Sequence, residues 1–359
     1  MYELSENFEK EGTADEQAGD KYAVLICGMA DSSSFYNNIS FVHDMLLEKG
    51  YKEENITVLY DRGDDPESFD TVRAQGESKE GPARYVPAST YGFSPREQGI
   101  VDGAADRETM TKVFAELGEK VTERDELFVY VSDHGGRVGS GHRAESTIVV
   151  TDPTKDAEKS TEEGSNAYPL AVDFGSEYTK GDGDDDTQSD PDELEDRYGD
   201  LTEEELLSMF YGEGIYGFEG FGNFGSYDEI TESEFAKMIK PIKAKSEILV
   251  FDQCHSGGFA DRFGRGNRVA VSACRANESS YISHPMDGFP ATFFGALRGR
   301  DYDGNAIDAD LNGDGKVSIK EAYQYALEND EFANGDDGWF TEHPLLIARN
   351  RDPDEAFID

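Results

Sequence analysis

Basic residues are scarce in this 359-residue chain: 33 lysines and arginines stand against 77 aspartates and glutamates, a formal charge of -44. A surface so short of cations repels phosphate, so neither nucleic acid nor an anionic membrane is expected as a partner. Cysteine is also scarce. Cys27, Cys254 and Cys274 are odd in number and contain no CxxC pair, which argues against a disulfide framework and fits a reducing compartment. Cysteine and histidine spacing gives no zinc site. No apolar run approaches the roughly 20 residues that span a bilayer, and the opening MYELSENFEKEGTADEQ lacks the basic-then-apolar layout of a signal peptide. The expectation is a soluble, cytoplasmic chain with residues 1–20 as a flexible lead-in.

The abundant charge is unevenly placed. Residues 152–229 hold about two dozen acidic side chains and only Lys155, Lys159, Lys180 and Arg197 as basic ones. With GDGDDDTQSDPDELEDRYGD followed by a Gly/Phe/Tyr-rich stretch, this segment reads as an insertion between two regular blocks. Asp182, Asp184, Asp185 and Asp186 lack the Gly and Glu framework of a cation loop and read as solvated acid. Lysine is almost as frequent as arginine, which weakens a salt-adapted reading of the remaining acidity without removing it.

Outside the insertion, short apolar runs alternate with helical periodicity. The runs are residues 22–27 (YAVLIC), 56–60 (ITVLY), 127–131 (LFVYV), 248–251 (ILVF) and 269–272 (VAVS). Such runs fit strands covered on both faces. Phe41, Met45 and Leu46 mark a helix stopped at Gly50; Met110, Val113, Phe114 and Leu117 mark another behind Asp106. Thr231 with Glu234 forms a capping box for a helix carrying Phe235, Met238 and Ile239 that Pro241 ends. The pattern predicts a three-layer α/β/α sandwich with a mainly parallel central sheet and functional loops at the carboxyl ends of its strands, over one domain at 21–350.

Two of those strand ends carry chemistry. One runs into Ser132-Asp133-His134-Gly135-Gly136, the other into Asp252-Gln253-Cys254-His255-Ser256-Gly257-Gly258. If the strands are neighbours, His134 and Cys254 emerge together, a thiol beside a proton carrier. A nearby imidazolium would raise the thiolate fraction. The N–H groups of Gly135 and Cys254 are placed to hold an acyl-transfer oxyanion. His255 reads as structural, and Cys27 and Cys274 as core or loop thiols.

In this order and at these strand ends, DHGG and QCHSGG resemble the caspase-like clan CD cysteine peptidases, most closely the legumain-type branch in its prokaryotic form. The likeness also covers YAVLICG, the segment FYNNISFVHDMLLEKGYKEENITVLYD, LFVYVSDHGG, ILVFDQCHSGG and VSACRANESSY. The resemblance implies Cys254 as nucleophile, His134 as general acid/base and Gly135 N–H as oxyanion donor, with no strict third catalytic member. It also implies that the residue two before the nucleophile, Asp252, lines the primary specificity pocket. The legumain pattern has an Arg-His pair after its first strand. Here the chain reads Asp31-Ser32-Ser33-Ser34-Phe35-Tyr36-Asn37-Asn38, which puts asparagine preference in doubt. A pocket carboxylate without a nearby cation favours a basic side chain, so cleavage after Arg or Lys is expected, with Ser279 and Ser280 on the pocket wall. The competing reading of Asp252 is a hydrogen-bonded strand-end carboxylate.

A second motif is local. Residues 310–321 (DLNGDGKVSIKE) match the twelve-residue EF-hand loop at every diagnostic position. Asp310, Asn312 and Asp314 supply side-chain oxygens, Lys316 its carbonyl, Ser318 an oxygen directly or through water, and Glu321 a bidentate carboxylate, with Gly315 at the turn. Ala322, Tyr325 and Ala326 continue a helix, whereas the preceding NAIDA is a poor one. A single calcium loop with only an exiting helix is expected, stapling its segment to the core.

Together these readings predict a cysteine endopeptidase acting through a Cys-His dyad and a thioester acyl-enzyme on protein or peptide substrates, as a monomer, with Ca2+ as its ion. Self-cleavage after Lys180 or Arg197 is a corollary of the basic preference. Two alternatives stay open. The enzyme could be an asparaginyl-type endopeptidase, or a transpeptidase or ligase in which the same thioester passes its acyl group to an amine; or the fold could be a non-catalytic calcium-binding interaction protein.

Overall fold

The computed structural model describes residues 19–29, 33–63, 71–73, 85–87, 95–139, 141–152, 227–281, 288–333 and 341–359. Each of the five apolar runs becomes a strand of one six-stranded sheet: β1 (Lys21–Cys27), β2 (Ile56–Tyr60), β3 (Glu126–Val131), and, after the insertion, Ser246–Phe251 and Arg268–Ser272; the sixth strand, Leu345–Ile347, comes from no such run. Between β3 and Ser246–Phe251 the chain builds a second, antiparallel sheet from β4 (Gly135–Val138), β5 (Glu145–Thr151) and β6 (Tyr227–Thr231). The remaining central strands are therefore β7 (Ser246–Phe251), β8 (Arg268–Ser272) and β9 (Leu345–Ile347), and the central order is β9-β8-β7-β3-β1-β2. All neighbours are parallel except β9, which runs antiparallel to β8.

The period-2 alternation of β1 sorts the core into two layers. Ala23, Leu25 and Cys27 face α1 (Ser33–Glu48) and the later helices Gly288–Arg298 and Ile319–Asn329. Tyr22, Val24 and Ile26 face α2 (Arg107–Lys120), α3 (Glu232–Ile239) and α4 (Gly257–Phe263). Completing the series, Gly288–Arg298 is α5 and Ile319–Asn329 is α6. Helices on both faces of a mostly parallel sheet make the fold the expected three-layer α/β/α sandwich. Phe235 of α3 sits among the rings of Phe114, Phe251, Phe259 and Phe263, with centroids 5.3 to 6.0 Å away. Each such ring contributes about 1.5 to 3 kcal/mol through burial, which fixes α4 beneath the end of β7.

The capping signals act as read. Asp106 accepts the N–H of Thr109 at the start of α2, and Thr231 and Glu234 complete a capping box on α3. Two boundaries move. Residues 227–229, assigned to the insertion by their charge, lie in β6 and pair with residues 149–151; Arg107 neutralises Asp228 and Glu234, each at 3.0 Å. At the other end, Ala356 and Ile358 are buried in the first core layer, so the folded unit extends past residue 350.

Candidate active site

β3 and β7 are direct parallel neighbours, with Val131 opposite Phe251. His134 and Cys254 each follow that matched pair by three residues. They leave the sheet side by side at its carboxyl edge, where adjacent strands are about 4.8 Å apart. The two loops touch through Gly135: a Cβ there would lie 2.4 Å from Cγ of Gln253 and 2.5 Å from the carbonyl oxygen of Cys254. Only glycine allows the histidine loop to rest on the cysteine backbone. The histidine loop is anchored by Asp133, whose Oδ1 accepts the N–H of His134 at 2.7 Å and whose Oδ2 accepts the N–H of Gly28. Phe35 of α1 meets the imidazole edge-on, with centroids 4.9 Å apart and planes at 86°.

Cys254 is half-buried at an elbow between β7 and α4. The elbow closes because His255 adopts φ of +62° and donates its N–H to the carbonyl of Glu278 at 2.8 Å. Its Nδ1 lies 3.2 Å from the carbonyl of Ala276. His255 is thus a structural turn residue, as read. Gly257 completes the elbow, since a Cβ there would stand 2.5 Å from the backbone nitrogen of Ala276. Cys27 and Cys274 are fully buried core thiols.

Ser279 and Ser280 both contact Cys254. The N–H of Ser280 points to Sγ of Cys254 at 3.4 Å, and Sγ is 3.7 Å from the Ser280 carbonyl. The Ser279 side chain also hydrogen-bonds the thiol. The electrostatics differ from expectation. Burial chiefly pushes the Cys254 thiol up; the bonds from Ser280 and Ser279 oppose this, and the charges of Glu342 and Asp252 add to it. Desolvation and the two neighbouring carboxylates thus act against the thiolate, and the hydrogen bonds from Ser280 and Ser279 act for it.

Asp252, at the end of β7, is 4% exposed. Its Oδ2 accepts from the Tyr130 hydroxyl at 2.5 Å and its Oδ1 from the N–H of Asp133 at 3.3 Å; Ser132 and Asn38 also hydrogen-bond it. Burial outweighs these donors and pushes its carboxyl up to about 7. These hydrogen bonds fit the strand-end reading, while a carboxyl held up to about 7 is one whose charge a bound cation would decide.

The loop at 310–321 lies away from this edge and has the expected form. Residues 302–309 precede it without a helix, and α6 leaves it from its N-cap at Ser318. Gly315 has φ of +87°. Asp310 accepts the N–H groups of Gly313, Asp314 and Gly315, and Asn312 also accepts that of Asp314. Glu321, 3% exposed, reaches back to the N–H groups of Asn312 and Ser318. Lys316 turns its ammonium outward to Asp359, leaving its carbonyl in the loop. An all-oxygen donor set around a buried, cation-free glutamate fits a hard divalent ion. Among the described residues no three His, Cys, Asp or Glu side chains gather as around an ion; here the loop carboxylates hold backbone N–H groups instead.

Sequence reading missed Phe35, which has no motif, and Glu342, which lies far from the nucleophile in the chain. Lys180, Arg197 and Asp182, Asp184, Asp185 and Asp186 lie outside the described residues, as do residues 1–18. No helix among the described residues is long and apolar enough to cross a membrane.

No protein-family model matches the chain, and no curated protein does. Among solved structures, the crystal structure of protein GSU0716 from Geobacter sulfurreducens is similar over 93% of this chain and 95% of that one, at 10% identity and a TM-score of 0.42. A likeness at that level says nothing of chemistry, and the architecture stands on its own strand order and registers.

Proposed function

We propose that the protein is a caspase-like cysteine endopeptidase. The observation that carries this reading is the delivery of His134 and Cys254 to adjacent positions at one sheet edge, with Gly135 seated on the Cys254 carbonyl. His134 takes the thiol proton as Sγ attacks the scissile carbonyl, and the N–H groups of Gly135 and Cys254 receive the oxyanion. Collapse expels the amine, which takes the proton back from His134, and water then hydrolyses the thioester.

Asp252 is proposed to pair with a basic side chain of the substrate. A library varying the residue before the cleaved bond should show Arg and Lys above Asn and Asp; the opposite order removes the assignment. A pH series adds a signed check. Binding a guanidinium needs ionised Asp252, so cleavage after arginine relative to its neutral analogue citrulline should climb as pH rises through about 7. A flat ratio means that Asp252 meets no cation. Labelling of Cys254 by acyloxymethyl ketones bearing Arg, Asn or Asp tests the dyad itself.

Calcium is proposed to bind Asp310, Asn312, Asp314, the Lys316 carbonyl, Ser318 and Glu321. At a hundredfold excess over its dissociation constant, an ion held only by the folded state adds about 2.7 kcal/mol. Calcium should therefore raise the melting temperature by several degrees in wild type and not in Glu321→Ala. Equal shifts in both would place the ion elsewhere.

A further inference from the structure

Glu342 is completely buried beside the candidate site. Its Oε2 accepts the N–H of Tyr281 at 2.9 Å, one residue from the Ser280 backbone that contacts Cys254. Its own N–H donates to the Phe332 carbonyl at 3.0 Å, and the Phe332 N–H donates to Oδ1 of Asp330 at 3.2 Å. Asp330 is 1% exposed and closes α6 as its C-cap. The carboxyl groups of Glu342 and Asp330 hydrogen-bond each other. Ionised carboxylates only accept, so that bond requires a proton on one of them. The Ser280 side chain hydrogen-bonds Glu342 as well.

We propose that Asp330 and Glu342 form a one-proton carboxyl pair that positions the 279–281 segment against Cys254. The proposal rests on reading Cys254 as the reactive thiol. The pair carries one net negative charge in a water-poor setting, where charges act strongly. Its effect reaches three groups: the charge of Glu342 raises Cys254, Cys274 and Tyr281 alike. Among the described residues, those three and Asp330 are the titratable groups that interact with Glu342. The adjacent His343 is turned to Glu278, with Nδ1 3.0 Å from its Oε1. Tyr281 is clamped from its other side by Phe332, with ring centroids 5.8 Å apart. Glu342 is thus a positioning residue, reaching the nucleophile through the 280–281 backbone and its charge.

The pH dependence of Cys254 alkylation by iodoacetamide, followed by peptide mapping so that Cys27 and Cys274 are scored separately, tests the pair. Glu342→Gln moves the charge onto Asp330, farther from the thiol, and should lower the alkylation midpoint, giving at least about threefold faster labelling at pH 7. The double variant Asp330→Asn/Glu342→Gln removes the charge and should lower the midpoint further. Its amide pair keeps the shape of the original and serves if the single variant folds poorly. Asp330→Asn confines the charge to Glu342 and should leave the midpoint unchanged or higher. Coincident midpoints in all four proteins, or an equal fall in Asp330→Asn and Glu342→Gln, overturn the pair. Peptide hydrolysis is read separately: shifted midpoints without cleavage uphold the pair and sink the peptidase reading, and cleavage without shifts does the reverse.

Discussion

Cys254→Ala is expected to abolish peptide cleavage, by roughly four orders of magnitude or more, while the fold is kept. A nucleophile that forms the acyl-enzyme has no substitute: His134 can carry a proton but cannot reach a thioester without the sulfur. The structural cost is small because Cys254 contributes only weak sulfur hydrogen bonds, to the Ser280 N–H at 3.4 Å and the Ser280 carbonyl at 3.7 Å, and alanine occupies less of the same half-buried space. Melting within a few degrees of wild type, together with loss of both cleavage and probe labelling, is the anticipated result. The matching substitution at Cys274 is the control. Its sulfur lies against the carbonyls of Gln253 and Glu278, so its loss should cost stability before chemistry. Cleavage surviving in Cys254→Ala would end the thiol mechanism.

Gly135→Ala should lower kcat/KM about a hundredfold, since a displacement near 1 Å at a reacting pair costs about that much. The new methyl would meet both Gln253 and the Cys254 carbonyl at contacts that real Cβ atoms do not show, and the latter is backbone, which cannot swing aside. The histidine and cysteine loops must part. Overpacking of this kind also costs about 1 to 3 kcal/mol, so activity has to be separated from stability. Gly50→Ala provides the comparison: Gly50 has φ of +80° with open space around it, at the end of α1 and away from the dyad. It should lose stability through backbone strain and keep its turnover. Similar activities in the two variants would mean that the Gly135 contact does not set the geometry of the dyad.

The sequence displays five of its six central strands because each is a continuous apolar run buried on both faces, and its two candidate-site motifs because each is contiguous and punctuated by glycine. What brings those motifs together is not local. β4 begins at Gly135, which reads as a loop glycine until β5 pairs with it. β6 carries Asp228 and Glu229, residues that argue against a strand until Arg107 and Thr147 supply partners more than 80 positions away. β9 has only three residues, too few for any periodicity. The same holds at the site. Phe35 and Glu342 approach from a helix near one end and a strand approach near the other, and no spacing rule joins residues so distant. Burial explains the one electrostatic reversal: a motif shows that a histidine stands near a cysteine, but not how little water surrounds the sulfur.

The pairing of Thr151 with Tyr227 places the two ends of the intervening segment on neighbouring strands. The five registered pairs between β5 and β6 therefore hold Thr151 and Tyr227 together whatever joins them in the chain. Backbone scission anywhere from 153 to 226 would leave β5 and β6 joined by that ladder, and His134, one residue before the same sheet begins, would keep its place.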